Sequence, residues 1–126
     1  DESTLAIVSD LALLLHLQSK FQESEDMHRQ ALVGRESTLG EDHVDTIASL
    51  GNLADVLVTT GHLVEAEELQ RKAMQRKEVV FGPNHPSTLL SVNNLTNVLR
   101  KCGKNDEAEP LYRRALAGKE EMLGPD

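Results

Sequence analysis

Residues 85–126 read HPSTLLSVNNLTNVLRKCGKNDEAEPLYRRALAGKEEMLGPD, and this stretch decides the fold. Residues 43–84 read HVDTIASLGNLADVLVTTGHLVEAEELQRKAMQRKEVVFGPN, which follows the same order of residue types without a gap. Residues 1–42 fit the same register, so the 126-residue chain divides into three repeats of 42 residues. Self-similarity at a fixed period is the signature of a repeat architecture. Nine repeat positions carry an identical residue in all three copies: Thr4/Thr46/Thr88, Leu11/Leu53/Leu95, Leu15/Leu57/Leu99, Glu23/Glu65/Glu107, Glu25/Glu67/Glu109, Arg29/Arg71/Arg113, Ala31/Ala73/Ala115, Glu36/Glu78/Glu120 and Gly40/Gly82/Gly124.

Each repeat predicts two helices. In residues 43–84 the apolar residues recur at intervals of three and four, as on one face of an amphipathic helix. These residues are Ile47, Leu50, Leu53, Ala54, Leu57 and Val58. Gly61 follows as a terminating glycine, and a second helix extends from near Glu65 to Gly82. We therefore expect six helices and no strand, with Ser19 and Gly124 at the corresponding helix ends of the outer repeats.

Residues near the repeat junctions have predicted structural roles. Asp45 and Ser87 are expected to be N-cap residues, because their side-chain oxygens accept hydrogen bonds from free backbone N–H groups. His43 and His85 open their repeats, and we expect them either to pack against the inter-repeat turn or to cap it. Gly34 lies inside a second helix, where glycine indicates either a weak point or a site of close packing.

The charge balance argues against nucleic acid and membrane partners. The chain has 21 acidic and 13 basic residues, for a formal net charge of −8. Because phosphate binding needs a cationic surface, we expect no nucleic-acid partner. The longest charge-free stretch near the start, residues 11–19, has nine residues, whereas a membrane span needs about 20 apolar residues, so we expect no transmembrane helix. The chain does not begin with methionine, so we interpret it as a fragment and leave open a signal peptide in its parent.

Nothing in the sequence indicates a catalytic or metal site. The five histidines lack metal-ligand spacing, and the acidic run at residues 65–68 is typical of a solvated helix start. The sequence contains no nucleophile turn and no Gly-rich phosphate loop. We therefore predict no enzyme activity, cofactor or metal. The single cysteine, Cys102, cannot form an internal disulfide, which favours a reducing, cytoplasmic location.

Two helices in 42 residues fit either a HEAT-like repeat or an extended tetratricopeptide repeat. Residues 50–57 give the apolar-x2-Leu-small-x2-apolar pattern of the tetratricopeptide repeat, and Gly61, Ala66 and Ala73 follow at its spacing. Residues 94–126, with the segments NL, GK, EAE, LYRRAL and LGPD, closely resemble the tetratricopeptide repeats of kinesin light chains and their relatives. The resemblance covers the whole chain. It implies one all-α domain of residues 1–126, a right-handed superhelical solenoid of three helix-turn-helix repeats (1–42, 43–84 and 85–126).

The resemblance also implies where a ligand binds. In tetratricopeptide domains the first helix of each repeat lines a concave groove that holds an extended peptide or a partner helix. The implied peptide-binding residues of this chain are Asn52, Asp55, Asn94, Asn97, Arg100 and Lys101. Asparagine amides both donate and accept hydrogen bonds, as an extended backbone requires, although a solvated helix surface explains them too. The two basic residues favour a ligand with acidic side chains.

Two functions follow from this interpretation. The first is a non-enzymatic scaffold that binds a protein or peptide, with acidic residues favoured, in the groove. The alternative is a structural module that stacks end to end into homo-oligomers through exposed repeat ends. It is motivated by Leu13 and Leu17, which lie on the groove face of the first repeat where the second repeat has Asp55 and Thr59.

Overall fold

The computed structural model describes residues 2–18 and 20–123, with the side chains of residues 122 and 123 excepted. This part of the chain forms six helices and no strand, as the periodicity predicts. The helices are α1 (Glu2–Leu17), α2 (Phe21–Leu39), α3 (Val44–Thr59), α4 (Leu63–Phe81), α5 (Pro86–Lys101) and α6 (Asn105–Leu123). Each repeat therefore supplies one helix of 16 residues and one of 19. Ser19 and Gly124, which were predicted to end helices, lie outside the described residues.

Each helix packs on its neighbours along the chain, so the repeats form a continuous stack. The helices α3 and α5 are each enclosed between the helix before and the helix after, and their apolar faces form the core. The largest of the apolar side chains buried there to 1% exposure or less are Ile47, Leu50, Leu53, Leu57, Leu95 and Leu99. Such a core is shared between repeats, because one helix pair cannot bury its apolar face alone. Among the described residues, no helix combines the length and the apolarity that crossing a bilayer demands.

The N-caps of α3 and α5 differ from the prediction. His43 and His85 are the N-cap residues, and their Nδ1 atoms accept hydrogen bonds from the backbone N–H groups of Asp45 and Ser87, each at 3.0 Å. The predicted caps Asp45 and Ser87 are therefore wrong, because both helices begin at the residue directly after the histidine. The ring of His85 also stacks on Phe81, with ring centroids 4.7 Å apart, which holds the capping nitrogen in place.

Gly34 is a site of close packing. A Cβ atom added there would overlap the side chain of Leu5 on α1. The absence of a side chain therefore lets α2 approach α1 closely.

The second helices of successive repeats are joined by a recurring ion pair. Arg29 on α2 donates two hydrogen bonds to the Glu65 carboxylate on α4, at 2.9 and 3.0 Å. At the equivalent positions Arg71 on α4 donates one hydrogen bond to the Glu107 carboxylate on α6, at 3.1 Å. Both pairs span 36 residues, so one contact is repeated at each junction. These side chains are partly exposed, and each exposed ion pair of this kind contributes about 0.2–1 kcal/mol to the free energy of unfolding.

Candidate functional site

Two adjoining depressions lie along the first helices of the repeats. The 2–3 depression, between the second and third repeats, is lined by His16, Asp55, Val58, Thr59, Gln70, Asn94, Asn97, Val98 and Lys101. The 1–2 depression, between the first and second repeats, is lined by Leu13, His16, Leu17, His28, Asn52, Asp55 and Val56. Because His16 and Asp55 border both, the two depressions form one continuous surface.

The structure brings most of the predicted peptide-binding residues together. Asp55, Asn94, Asn97 and Lys101 all line the 2–3 depression. Asn52 lies beside Asp55 in the 1–2 depression. Their placement follows from the helix period, because residues three and four positions apart share one face.

Arg100 is placed differently. Its Nη1 donates a hydrogen bond to the hydroxyl oxygen of Tyr112 on α6, at 2.8 Å, and it is not among the residues that line the 2–3 depression. Leu13 and Leu17, which motivated self-assembly, line the 1–2 depression rather than an end of the stack.

The basic cluster at the end of α5 divides into separate roles. The Nζ of Lys104 lies 3.0 Å from the Glu67 carboxylate and 4.0 Å from that of Glu107. The hydrogen bond to Glu67 raises the pKa of Lys104. With Arg100 turned to Tyr112 and Lys104 paired, Lys101 is the member of this cluster that borders the depression.

Sequence reasoning missed Gln70 and His28, which reach the depressions from the second helices. Both are 1% exposed, yet Gln70 lines the 2–3 depression and His28 the 1–2 depression. They occupy one repeat position, and Tyr112 holds the same position in the third repeat. The available signal was a polar residue at this position of the buried face in the first two copies, since buried polar groups require an explanation. In the third copy Tyr112 is 38% exposed.

The two depressions carry titratable groups with shifted pKa values. Burial lowers the pKa of His28, and the nearby His16 lowers it further. The Nδ1 of His28 is buried and has no hydrogen-bond partner among the described residues, which fits a neutral imidazole. Desolvation raises the pKa of Asp55, and His16 partly offsets the rise. Asp55 still reaches solvent, so the desolvation arises from the walls of the depressions rather than from complete burial.

The lowered pKa of His28 predicts a pH-dependent stability. At pH values above the usual histidine pKa of 6.5 both folded and unfolded chains carry a neutral His28. Below pH 6.5 His28 is protonated in the unfolded chain but still neutral in the folded chain. The free energy of unfolding therefore falls as the pH decreases, until the pH reaches the pKa of His28 in the folded chain. We expect His28→Gln, which copies Gln70 of the second repeat, to flatten this fall. Urea unfolding between pH 7 and pH 5 measures it.

The matched control for this prediction is the same replacement at His62, whose side chain is exposed. It removes one histidine without touching the buried site. If His28→Gln and His62→Gln change the pH dependence of the free energy of unfolding by equal amounts, the assignment to His28 is wrong.

The depressions are lined by side chains that form hydrogen bonds and ion pairs. Amides of Asn94 and Asn97 donate and accept hydrogen bonds, Asp55 accepts them, and Lys101 supplies a cation. Within the described residues, no group of three or more His, Cys, Asp or Glu side chains is placed to hold a metal ion.

Comparisons with known proteins agree with this architecture. The family model described as tetratricopeptide repeat matches residues 3–78 and 63–121. A crystal structure of a Podosopora anserina kinesin light chain with nearly identical TPR-like repeats is 25% identical, with a TM-score of 0.85, over 94% of this chain and 56% of that one. A variant form of that protein is 26% identical, with a TM-score of 0.84, over 93% of this chain and 55% of the variant. Curated proteins give no match to this sequence.

A third solved structure shows the fold alone. BtubC (BKLC) from P. vanneervenii is 19% identical, with a TM-score of 0.92, over 100% of this chain and 50% of that chain. The chain thus spans about half the length of the solved structures that it matches. Since the two matches to the family model together cover residues 3–121 and the stack has the same architecture as these structures, the chain belongs to the tetratricopeptide repeat family.

Proposed function

We propose that the chain is a non-enzymatic scaffold that binds an extended peptide along the 2–3 depression. Tetratricopeptide repeats generally mediate protein–protein interaction or assembly. The observation that carries the proposal is the convergence of Asp55, Asn94, Asn97 and Lys101 on one depression. In this function residues 1–126 act as one domain. The unpaired Cys102 favours a location in the reducing cytoplasm.

The lining residues specify the kind of peptide. An extended backbone keeps its hydrogen bonds on leaving water only if the site replaces them, and Asn94 and Asn97 provide both donors and acceptors. Lys101 favours a carboxylate of the peptide at its end of the depression, whereas Asp55 favours an N–H or O–H donor at the other side. Asn52 extends the polar surface into the 1–2 depression, where Leu13 and Leu17 offer apolar contact.

Replacing Asn94 and Asn97 together by alanine should weaken peptide binding about 10-fold, because each lost hydrogen bond contributes about 0.5–1.5 kcal/mol. The probe is a peptide selected from a displayed random library on the wild-type chain, and its Kd is measured by calorimetry. The fold should persist, since Asn97 is exposed and Asn94 is only partly buried.

Asn93→Ala is the matched control, because Asn93 is an exposed neighbour on the same helix and lies outside both depressions. It should bind the selected peptide as wild type does. Equal Kd values for the wild-type chain and the Asn94→Ala, Asn97→Ala variant would refute the proposed site.

A second candidate function is end-to-end self-assembly. The observation that favours it is the exposure of Ile7, Leu11 and Leu14 on one face of α1, at 68%, 40% and 50%. Exposed apolar patches of this kind mark interaction sites.

A further inference from the structure

The two depressions are two copies of one site. Counted within the 42-residue unit, positions 13, 16, 17 and 28 of one repeat and positions 10, 13 and 14 of the next line both of them. Asn52 and Asn94 share one of these positions, whereas His28 of the first site is replaced by Gln70 in the second. The stack therefore offers a peptide two successive subsites of the same architecture with different side chains.

The two subsites differ in charge. Lys101 lines the 2–3 depression, whereas no lysine or arginine is among the residues that line the 1–2 depression. The Asp55 carboxylate lies there at the repeat position that neutral Asn97 holds in the 2–3 depression. Within the part of the chain that the structure describes, no lysine or arginine pairs with this carboxylate, and its charged neighbour is His16. The 1–2 depression thus has an acidic wall without a cation.

Apolar side chains and an unpaired imidazole complete the 1–2 depression. Leu13 and Leu17 are 47% and 81% exposed on the wall formed by α1, and Val56 on α3 is 1% exposed. His28 is 1% exposed, and its Nδ1 has no hydrogen-bond partner among the described residues. A neutral imidazole has one N–H donor and one acceptor nitrogen. His28 therefore holds a hydrogen-bonding capacity that the folded chain leaves unused, which is rare for a buried polar group.

The environment of Asp55 favours a cation from outside the chain. Desolvation raises the pKa of Asp55, so its carboxylate has lost hydration that no lysine or arginine of the described residues restores. The first repeat adds to the same field, since residues 1–42 have nine acids and three bases. A positively charged group of a ligand would be attracted to this end of the groove and would stabilise the ionised carboxylate.

We infer that the 1–2 depression binds a basic side chain of the peptide, with its stem along Leu13 and Leu17 and its charged head at Asp55. The inference rests on the proposed function and adds a second, opposite charge to the ligand. Basic side chains bury their alkyl stems on apolar surfaces while the head stays charged. Arginine suits the subsite better than lysine, because its five N–H donors can serve the carboxylate together with acceptors of Asn52 and His28. The basic residue of the peptide thus lies toward the first repeat and its acidic residue at Lys101.

The test uses the peptide selected from the displayed random library on the wild-type chain. Each of its basic residues is replaced in turn by a neutral analogue of similar shape, citrulline for arginine or norleucine for lysine. Calorimetry then gives the Kd for the wild-type chain and for Asp55→Asn, which copies Asn97. One replacement should weaken binding to the wild-type chain about 10-fold, because hydrogen bonds between charged groups are stronger than neutral ones. The same replacement should have little effect on binding to Asp55→Asn.

Asp10→Asn is the matched control. It removes the same charge from an exposed residue of α1 that lines neither depression. In this variant the neutral analogue should still weaken binding about 10-fold. If the effect of the analogue disappears in Asp10→Asn as it does in Asp55→Asn, a long-range field and not a contact with Asp55 is responsible, and the inference is wrong. Circular dichroism verifies that both variants remain helical.

Nuclear magnetic resonance of the histidine ring nitrogens locates the basic side chain, since Asp55 borders both depressions. Binding of the peptide should shift the ring-nitrogen signals of His28 and leave those of His62, which lines neither depression. If the His28 signals do not move while the effect of Asp55→Asn persists, the basic side chain lies in the 2–3 depression, and the inference is overturned.

Failure of this inference is distinguishable from failure of the proposed function. If the Asn94→Ala, Asn97→Ala variant loses binding but the selected peptide has no basic residue, or its neutral analogues bind the wild-type chain as tightly as the parent peptide, groove binding stands and the basic subsite is wrong. If the Asn94→Ala, Asn97→Ala variant binds the peptide as the wild-type chain does, the proposed peptide site is wrong and this inference is wrong with it.

Discussion

Leu95→Ala should lower the free energy of unfolding by about 2–5 kcal/mol, because it removes buried methyl groups and leaves a cavity. Leu95 is 0% exposed, and its core cluster includes Met74 from the preceding repeat and Ala108 from the following helix. The loss therefore affects packing within the third repeat and across its junction with the second. Urea unfolding followed by far-ultraviolet circular dichroism measures it.

The chain contains its own control for this prediction. Leu11 holds the same repeat position as Leu95, but it is 40% exposed because no helix precedes it within the described residues. In dilute solution Leu11→Ala should therefore lower the free energy of unfolding clearly less than Leu95→Ala does. Equal losses at the two positions would show that the junction with the preceding repeat contributes nothing to the burial energy.

Gly82→Ala should destabilise the fold by about 1–3 kcal/mol, since its backbone conformation is essentially restricted to glycine. Gly82 follows α4 with φ 97° and ψ 159°. An added Cβ would meet no atom within 4 Å, so the cost comes from backbone strain and not from a clash. The same denaturation measurement applies.

Gly51→Ala is the matched change with the opposite expected sign. Gly51 lies inside α3, and its added Cβ also meets nothing within 4 Å. Alanine in a helix interior is favoured over glycine by about 0.5–1 kcal/mol, so this variant should be more stable than wild type. If both alanine variants change stability in the same direction, backbone conformation does not govern the effect.

The helices could be predicted from the sequence because three copies repeat one apolar pattern. The N-caps could be predicted only in part, since His43 and His85 were expected either to pack against the inter-repeat turn or to cap it. Intrinsic preferences favour Asp45 and Ser87 as N-caps. The structure instead uses His43 and His85, and the stacking of His85 on Phe81 is a tertiary contact that propensity does not include.

The candidate site was predicted in part for a similar reason. The repeat register fixes which helix face a residue occupies, and this was sufficient to place Asn94, Asn97 and Lys101 in the 2–3 depression. It does not fix the direction of a long side chain, so the bond from Arg100 to Tyr112 could not be foreseen. Gln70 was missed because the prediction considered only the first helix of each repeat.

The recurring Arg–Glu pair has a consequence for how such an array changes in length over evolution. If residues 43–84 were lost by recombination between repeats, Glu107 would take the place of Glu65 opposite Arg29, and Leu95 would take the place of Leu53 beneath Leu32. Each junction would retain the kinds of contact that it has now, since every repeat contacts only its neighbours. A gene that encodes such repeats can therefore gain or lose units of 42 residues without having to evolve a new interface at each step.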